Sequence, residues 1–174
     1  MKSKIFLCSL LCVCGLTLFA QAPKIEFPSA SPACTIKQRV GLTDIEVVYS
    51  RPSMKGRQIF GNVVPFGTVW RTGANNATKI TFSTPVKLNG TDVAAGSYAL
   101  YTIPGEDEWT IILNSELGQW GAYNYDKIKG KDVLQVTVPV KTLPTSVEQL
   151  TIAAKEMDLT ISWDKTEVAV PVKL

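Results

Sequence analysis

Three arginines and a tryptophan in an irregular stretch are the residues of this chain best equipped for chemistry. Between Tyr49 and Ala77 lie Arg51, Arg57, Trp70, Arg71, Asn75 and Asn76, with Pro52, Gly56, Gly61, Pro65 and Gly67 breaking the regular pattern before Trp70. An arginine is a planar, permanently charged fork of donors that matches a carboxylate or a phosphate. Trp70, with Trp120, Tyr123 and Tyr125 further on, offers flat amphipathic rings, and Asn75 and Asn76 can both donate and accept. These types together point to binding a small anionic or glycan-like ligand. The eight candidates are Arg51, Arg57, Trp70, Arg71, Asn75, Asn76, Trp120 and Tyr123. Each has a competing structural use: Trp70 can pack in a core, Arg71 can bond loop carbonyls or pair with an acid, and Asn75 can cap a turn.

Catalysis has less to draw on. The chain contains no histidine, which removes the usual general base at neutral pH, Ser-His-Asp and Cys-His constellations, and His-based zinc sites. Acid and base work would fall to Asp107, Glu108, Glu116 or Asp126, assisted by Tyr123 or a lysine. A pair of carboxylates set apart across a cleft is what glycoside hydrolysis requires. Glu106-Asp107-Glu108 also reads as an ordinary solvated turn. Ser50 or Ser53 activated by Lys55 lacks any recognised motif context. No group of acids has the spacing of a calcium loop, and no cofactor is expected.

The segments flanking this stretch are strands. Ile36, Gln38 and Val40 alternate with Thr35, Lys37 and Arg39; Gly41-Leu42-Thr43 turns the chain, and Asp44 to Tyr49 alternates again, which predicts a hairpin. Val86-Lys87-Leu88, Asn89-Gly90, Thr91-Asp92-Val93 is the strongest hairpin signal, because Asn-Gly readily takes the positive φ of a tight turn. Gly96 to Ile103 and Trp109 to Asn114 are apolar on both faces and belong in the middle of a sheet. Asn114 to Lys131 interrupts the strands as a loop with a short helical turn or as a crossover. Val133 to Val140, Val147 to Ala154, Leu159 to Trp163 and Glu167 to Val172 complete the pattern, the last two as a hairpin around Asp164-Lys165-Thr166. About ten short strands without a long helical period predict an all-β chain, a single-domain antiparallel β-sandwich or jelly-roll-like fold.

The N-terminus reads as a secretory leader. Lys2 and Lys4 precede the apolar run Ile5 to Phe19 and the small residues Ala20 and Ala22, and the run is too short to span a bilayer. The expected organisation is a signal peptide at 1–20, a proline-containing linker at 21–33 and the β domain at 34–174, exported to the periplasm or secreted. Lipid attachment at Cys14 is an alternative, against which Val13 stands where a small residue is usual. Cys8, Cys12 and Cys14 fall in the leader, so the mature chain keeps Cys34 as a lone thiol.

Past the leader, 16 basic residues meet 15 acidic ones, which gives no reason to expect nucleic acid as a partner. The distribution says more than the total. From Val47 to Thr91 there is no acid, while Arg51, Lys55, Arg57, Arg71, Lys79 and Lys87 are all present; from Asp92 on, 12 acids face 7 lysines. Either the two halves pair their charges within the fold or the basic half presents an anion-facing surface.

The order Tyr49-Ser50-Arg51-Pro52, Lys55-Gly56-Arg57, Ile59-Phe60-Gly61, Val64-Pro65, Val69-Trp70-Arg71-Thr72-Gly73-Ala74-Asn75, Gly96-Ser97-Tyr98, Ile103-Pro104-Gly105, Trp109-Thr110 and Trp120-Gly121-Ala122-Tyr123 resembles the exported bacterial domain-of-unknown-function family 2911. The likeness covers nearly the whole chain after the leader. It implies an exported bacterial protein with a single domain and supplies no activity. In that family the R-T-G-A-N segment often continues with a glutamate, whereas this chain has Asn76. A general base or metal ligand resting on that acid would be missing here. The reading from sequence is therefore a non-catalytic envelope-associated binding module, with a histidine-free carboxylate-dependent hydrolase and a structural partner of envelope proteins as its rivals.

Overall fold

A computed structural model describes residues 27–155 and 157–174. The predicted leader and the first part of the linker lie outside the described residues. Over these residues the chain is all-β: β1 (Ala33–Val40), β2 (Thr43–Ser50), β3 (Thr78–Phe82), β4 (Val86–Leu88), β5 (Thr91–Val93), β6 (Gly96–Pro104), β7 (Glu108–Asn114), β8 (Asp132–Lys155) and β9 (Asp158–Lys173), with one α-helical turn, α1 (Tyr125–Ile128), followed by a 3-10 turn at Lys129–Lys131. These form one nine-stranded antiparallel sheet, in the order β1-β2-β3-β6-β7-β8-β9-β4-β5, which is not closed into a barrel.

Alternation decides which face of each strand is buried. Ile45, Val47 and Tyr49 of β2 point into the core, as do Ile80 and Phe82 of β3, and Asp44, Glu46 and Val48 point away. The same core takes Leu150 and Ile152 from the far half of β8 and Leu159, Ile161, Trp163, Val168, Val170 and Val172 from β9. The sheet curls far enough that the Tyr49 hydroxyl accepts a hydrogen bond from the Ile152 backbone N–H at 3.0 Å. Both expected hairpins, β1–β2 and β4–β5, are present, and Asn89 and Gly90 carry φ of 46° and 84°. Strands β6 and β7 stand in the middle, and the face they turn from the main core is covered too: Ala99, Tyr101 and Ile112 pack with Tyr125 of α1.

The count of nine strands departs from about ten because two boundaries expected from sequence do not break the sheet. β8 runs through Lys141 to Ser146, with its register against β9 shifting between Thr142 and Val147. The hairpin expected at Asp164-Lys165-Thr166 does not form. Asp164 takes a φ of 53° and β9 continues through a bulge, which switches the inward residues from 159, 161 and 163 to 168, 170 and 172. Turn chemistry is read correctly there, but it bends a strand instead of reversing it.

Candidate functional site

The stretch from Arg51 to Ala77 is first of all stitched to the sheet. The Leu150 N–H donates to the Pro52 carbonyl and the Met54 N–H to the Glu148 carbonyl, so the exit of β2 continues along β8. Arg51 secures the same seam, its Nε donating to the Leu150 carbonyl at 3.0 Å and its Nη2 to Thr151 Oγ1 at 2.9 Å. Arg57 closes its own turn by donating to the Met54 and Ser53 carbonyls. Two of the three arginine forks are thus committed to backbone or hydroxyl oxygens.

Farther on, Trp70 exchanges two backbone hydrogen bonds with Thr102 of β6, which fixes it over the sheet. Its indole donates to the Gly73 carbonyl at 3.1 Å and lies in a cluster of rings: stacked on Trp163 at 5.9 Å, and edge-on to Phe60 and Trp109 at 6.1 and 6.2 Å. Each such ring buries roughly 150–250 Å², or about 4–6 kcal/mol of apolar transfer at ~25 cal/mol per Å². This cluster is the firm wall against which the loop is built.

Arg71 follows directly. The next residue, Thr72, is β-branched, fully buried and held at a φ of 55°, a conformation that such residues adopt at a cost of about 1–3 kcal/mol. Its carbonyl accepts from Thr78 Oγ1 at 2.7 Å, its hydroxyl donates to Thr102 Oγ1 at 3.1 Å, and the Thr78 N–H donates to the Arg71 carbonyl. The backbone on both sides of Arg71 is therefore pinned. Its side chain is not: the Nε is buried with no hydrogen-bond partner among the described residues. The ion pairs of the acid-free segment, Lys79 with Glu46 and Lys87 with Asp92, do not involve it.

Arg71 lines a groove of about 330 Å³ together with Val63, Val64, Pro65, Thr68, Val69, Trp70, Ala122 and Tyr123. No carboxylate lies in its lining. The opposite wall is delivered by the insert between β7 and β8, which is tied to the loop by Ala77 N–H to the Gln119 carbonyl and Gly121 N–H to the Asn75 carbonyl. Gly121 has a φ of 70°, and a Cβ there would lie 2.7 Å from the Tyr123 ring. The missing side chain is what lets that ring fold over the backbone beside the groove.

The eight residues singled out from the sequence do not form one cluster. Trp70, Arg71 and Tyr123 meet at the groove. Asn75 and Asn76 line a separate depression with Ser50 and Lys79, where Asn75, at a φ of 61°, donates to Ser50 Oγ. Arg57 lines a third with Ser53 and Lys55. Arg51 holds the seam to β8, and Trp120, which bridges Asn76, is 62% exposed. The walls Val63, Pro65, Thr68, Val69 and Ala122 escape a search for chemistry-bearing types because they are plain apolar or small residues. Pro65, Val69 and Ala122 were visible only as positions within the ordered motifs that resemble the family.

The carboxylates considered for catalysis lie elsewhere. Glu116 pairs with Lys131 and Asp126 with Lys129, both exposed pairs, while Asp107 stands in the β6–β7 turn and Glu108 opens β7. Asp132 instead anchors the base of the insert. It accepts from Tyr125 Oη, from Asn114 Nδ2 at 2.7 Å and from Gln135 Nε2 at 2.8 Å. Burial, followed by that bond to Asp132, pushes the Tyr125 phenol well above its ordinary range. Tyr101 stacks edge-on to Tyr125 at 5.3 Å with its hydroxyl buried and unpartnered among the described residues, and burial raises its phenol too. Among the described residues no three His, Cys, Asp or Glu side chains gather as metal ligands, and no helix is long and apolar enough to cross a membrane.

A single antiparallel sheet curled over its main core, carrying a loop-built groove on its flank, defines the architectural class. Within it, residues 31–172 match the family model described as Protein of unknown function (DUF2911), and the chain belongs to that family. No curated protein and no solved structure matches it.

Proposed function

We propose that the protein is a non-catalytic binding module whose site is the groove between the Trp70–Arg71 segment and Ala122–Tyr123, and whose ligand is a small anion. One observation carries this reading: Arg71 lines a groove free of acids, and its guanidinium makes no hydrogen bond or ion pair with the described residues. A guanidinium fork left without partners by the fold is free to bond a carboxylate or phosphate oxygen brought into the groove. Arg71 is also the arginine that the fold leaves uncommitted, since Arg51 and Arg57 bond carbonyls and a hydroxyl. The rival hydrolase would need two acids across this groove, and its lining supplies none. A thermal-shift screen of the purified protein against small anions and neutral compounds tests the reading, because a ligand specific to the folded state raises Tm. Anions should stabilise the protein and lose that effect in Arg71→Met; equal stabilisation of both proteins would refute it.

We also infer export, supported by the basic, apolar and small-residue order of Lys2 to Ala20. N-terminal sequencing of the protein recovered from cell envelope or medium should begin at Gln21. An intact Met1 in that fraction would contradict this.

A further inference from the structure

We infer that the ligand of this groove is an amphipathic monoanion, an aromatic or aliphatic carboxylate, and not a sugar or sugar acid. The inference rests on the anion reading above and narrows it by the chemistry of the remaining walls. Val63, Val64, Pro65, Val69, Trp70 and Ala122 carry no side-chain polar atom free to meet a hydroxyl. The Trp70 indole N–H is already spent on the Gly73 carbonyl. That leaves Thr68, Arg71 and Tyr123 as polar side chains in the lining. A pyranose brings a hydroxyl on nearly every ring carbon, and each one desolvated without a partner weakens binding. A phenyl or short alkyl body has no such demand and gains from every apolar wall it covers.

Charge and size point the same way. Arg71 is the one charged residue of the lining, so a second carboxylate or a phosphate with two charges would have its excess charge facing apolar walls. A groove of about 330 Å³ holds a body of benzoate size rather than an oligosaccharide. The Tyr123 ring, 80% exposed, stands at the margin as a face on which a flat ligand can lie.

Isothermal titration of the purified protein with four probes separates the possibilities. Benzoate has the anion and the apolar body, benzamide the body alone, acetate the anion alone, and glucuronate the anion on a hydroxylated body. Benzoate should bind at least about tenfold more tightly than each of the others, the factor that one charge-assisted hydrogen bond or one covered ring face supplies. Arg71→Met should bring benzoate down to the level of benzamide. Tyr123→Ala, a change at an exposed position, should weaken benzoate while leaving acetate unaltered. Glucuronate binding as well as benzoate would overturn the amphipathic class and leave the anion reading standing. Benzamide binding as well as benzoate would overturn the anion reading, and heat from none of the four would overturn both.

Discussion

Replacing Arg71 with methionine should make the ligand-free protein more stable, an unusual result for a residue assigned to a site. The Nε that methionine removes is buried and unpartnered among the described residues, and such a group costs about 1–3 kcal/mol. Arg71 as a whole is partly exposed, so the low end applies. Methionine keeps the apolar stem against its neighbours, and the net gain is about 1 kcal/mol. Urea unfolding followed by tryptophan fluorescence reads this directly, because Trp70, Trp109 and Trp163 pack as one cluster. With m of about 1–3 kcal/mol per M, the midpoint should rise by roughly 0.3–1 M. The companion change Arg51→Met should have the opposite sign. It removes two donors, to Leu150 and Thr151, and leaves those acceptors part-buried, for a loss of about 2–3 kcal/mol. A loss of similar size in both variants would mean instead that Arg71 is held by the protein's own groups.

The polar base of the insert supplies a second contrast. Tyr101→Phe should be neutral or stabilising by about 1 kcal/mol, because its hydroxyl has no partner among the described residues, whereas Tyr125→Phe should cost about 1–2 kcal/mol by taking a donor from Asp132; paired urea curves distinguish the two. Both phenols are raised above the ordinary 10.0 by burial first and Asp132 second. An unfolded chain therefore gives up these protons before the folded one does, so their contribution is full below pH 10.0 and falls as pH rises above it; the alkaline slope of stability should be shallower in either Phe variant. Trp70→Ala should cost about 3–5 kcal/mol by emptying the ring cluster beside the groove, seen as a large fall in Tm. Gly121→Ala should displace the Tyr123 ring and strain a φ of 70°, costing about 1 kcal/mol or more and weakening benzoate binding in the same titration.

Local chemistry explains which parts of this protein were legible from its residues. Alternation at Asp44 to Tyr49, Asn89-Gly90, and the doubly apolar strands ending at Ile103 and Asn114 each express a constraint of period two or a turn, and each lies where it was expected. Asp164-Lys165-Thr166 misleads because the same residues suit a turn and a bulge; the choice is made by whether β8 continues opposite, through pairings far away in sequence. The site was half legible for a related reason. Arg51, Arg57 and Arg71 are chemically identical in the sequence, and only the path of β8 past Arg51 and the turn at Met54 commit the first two. The apolar walls carry no chemistry-bearing side chain of their own, and Ala122 and Tyr123 reach Arg71 through backbone bonds between segments more than forty residues apart.

The most direct test of the groove as an anion site is the NMR signal of the Arg71 Nε–H, assigned by its loss in Arg71→Lys and followed as benzoate is added. That signal should shift saturably with benzoate and not with benzamide, while the Nε–H groups of Arg51 and Arg57 stay in place. An Arg71 signal that does not move while benzoate binds, or one that moves equally with benzamide, would contradict the anion site.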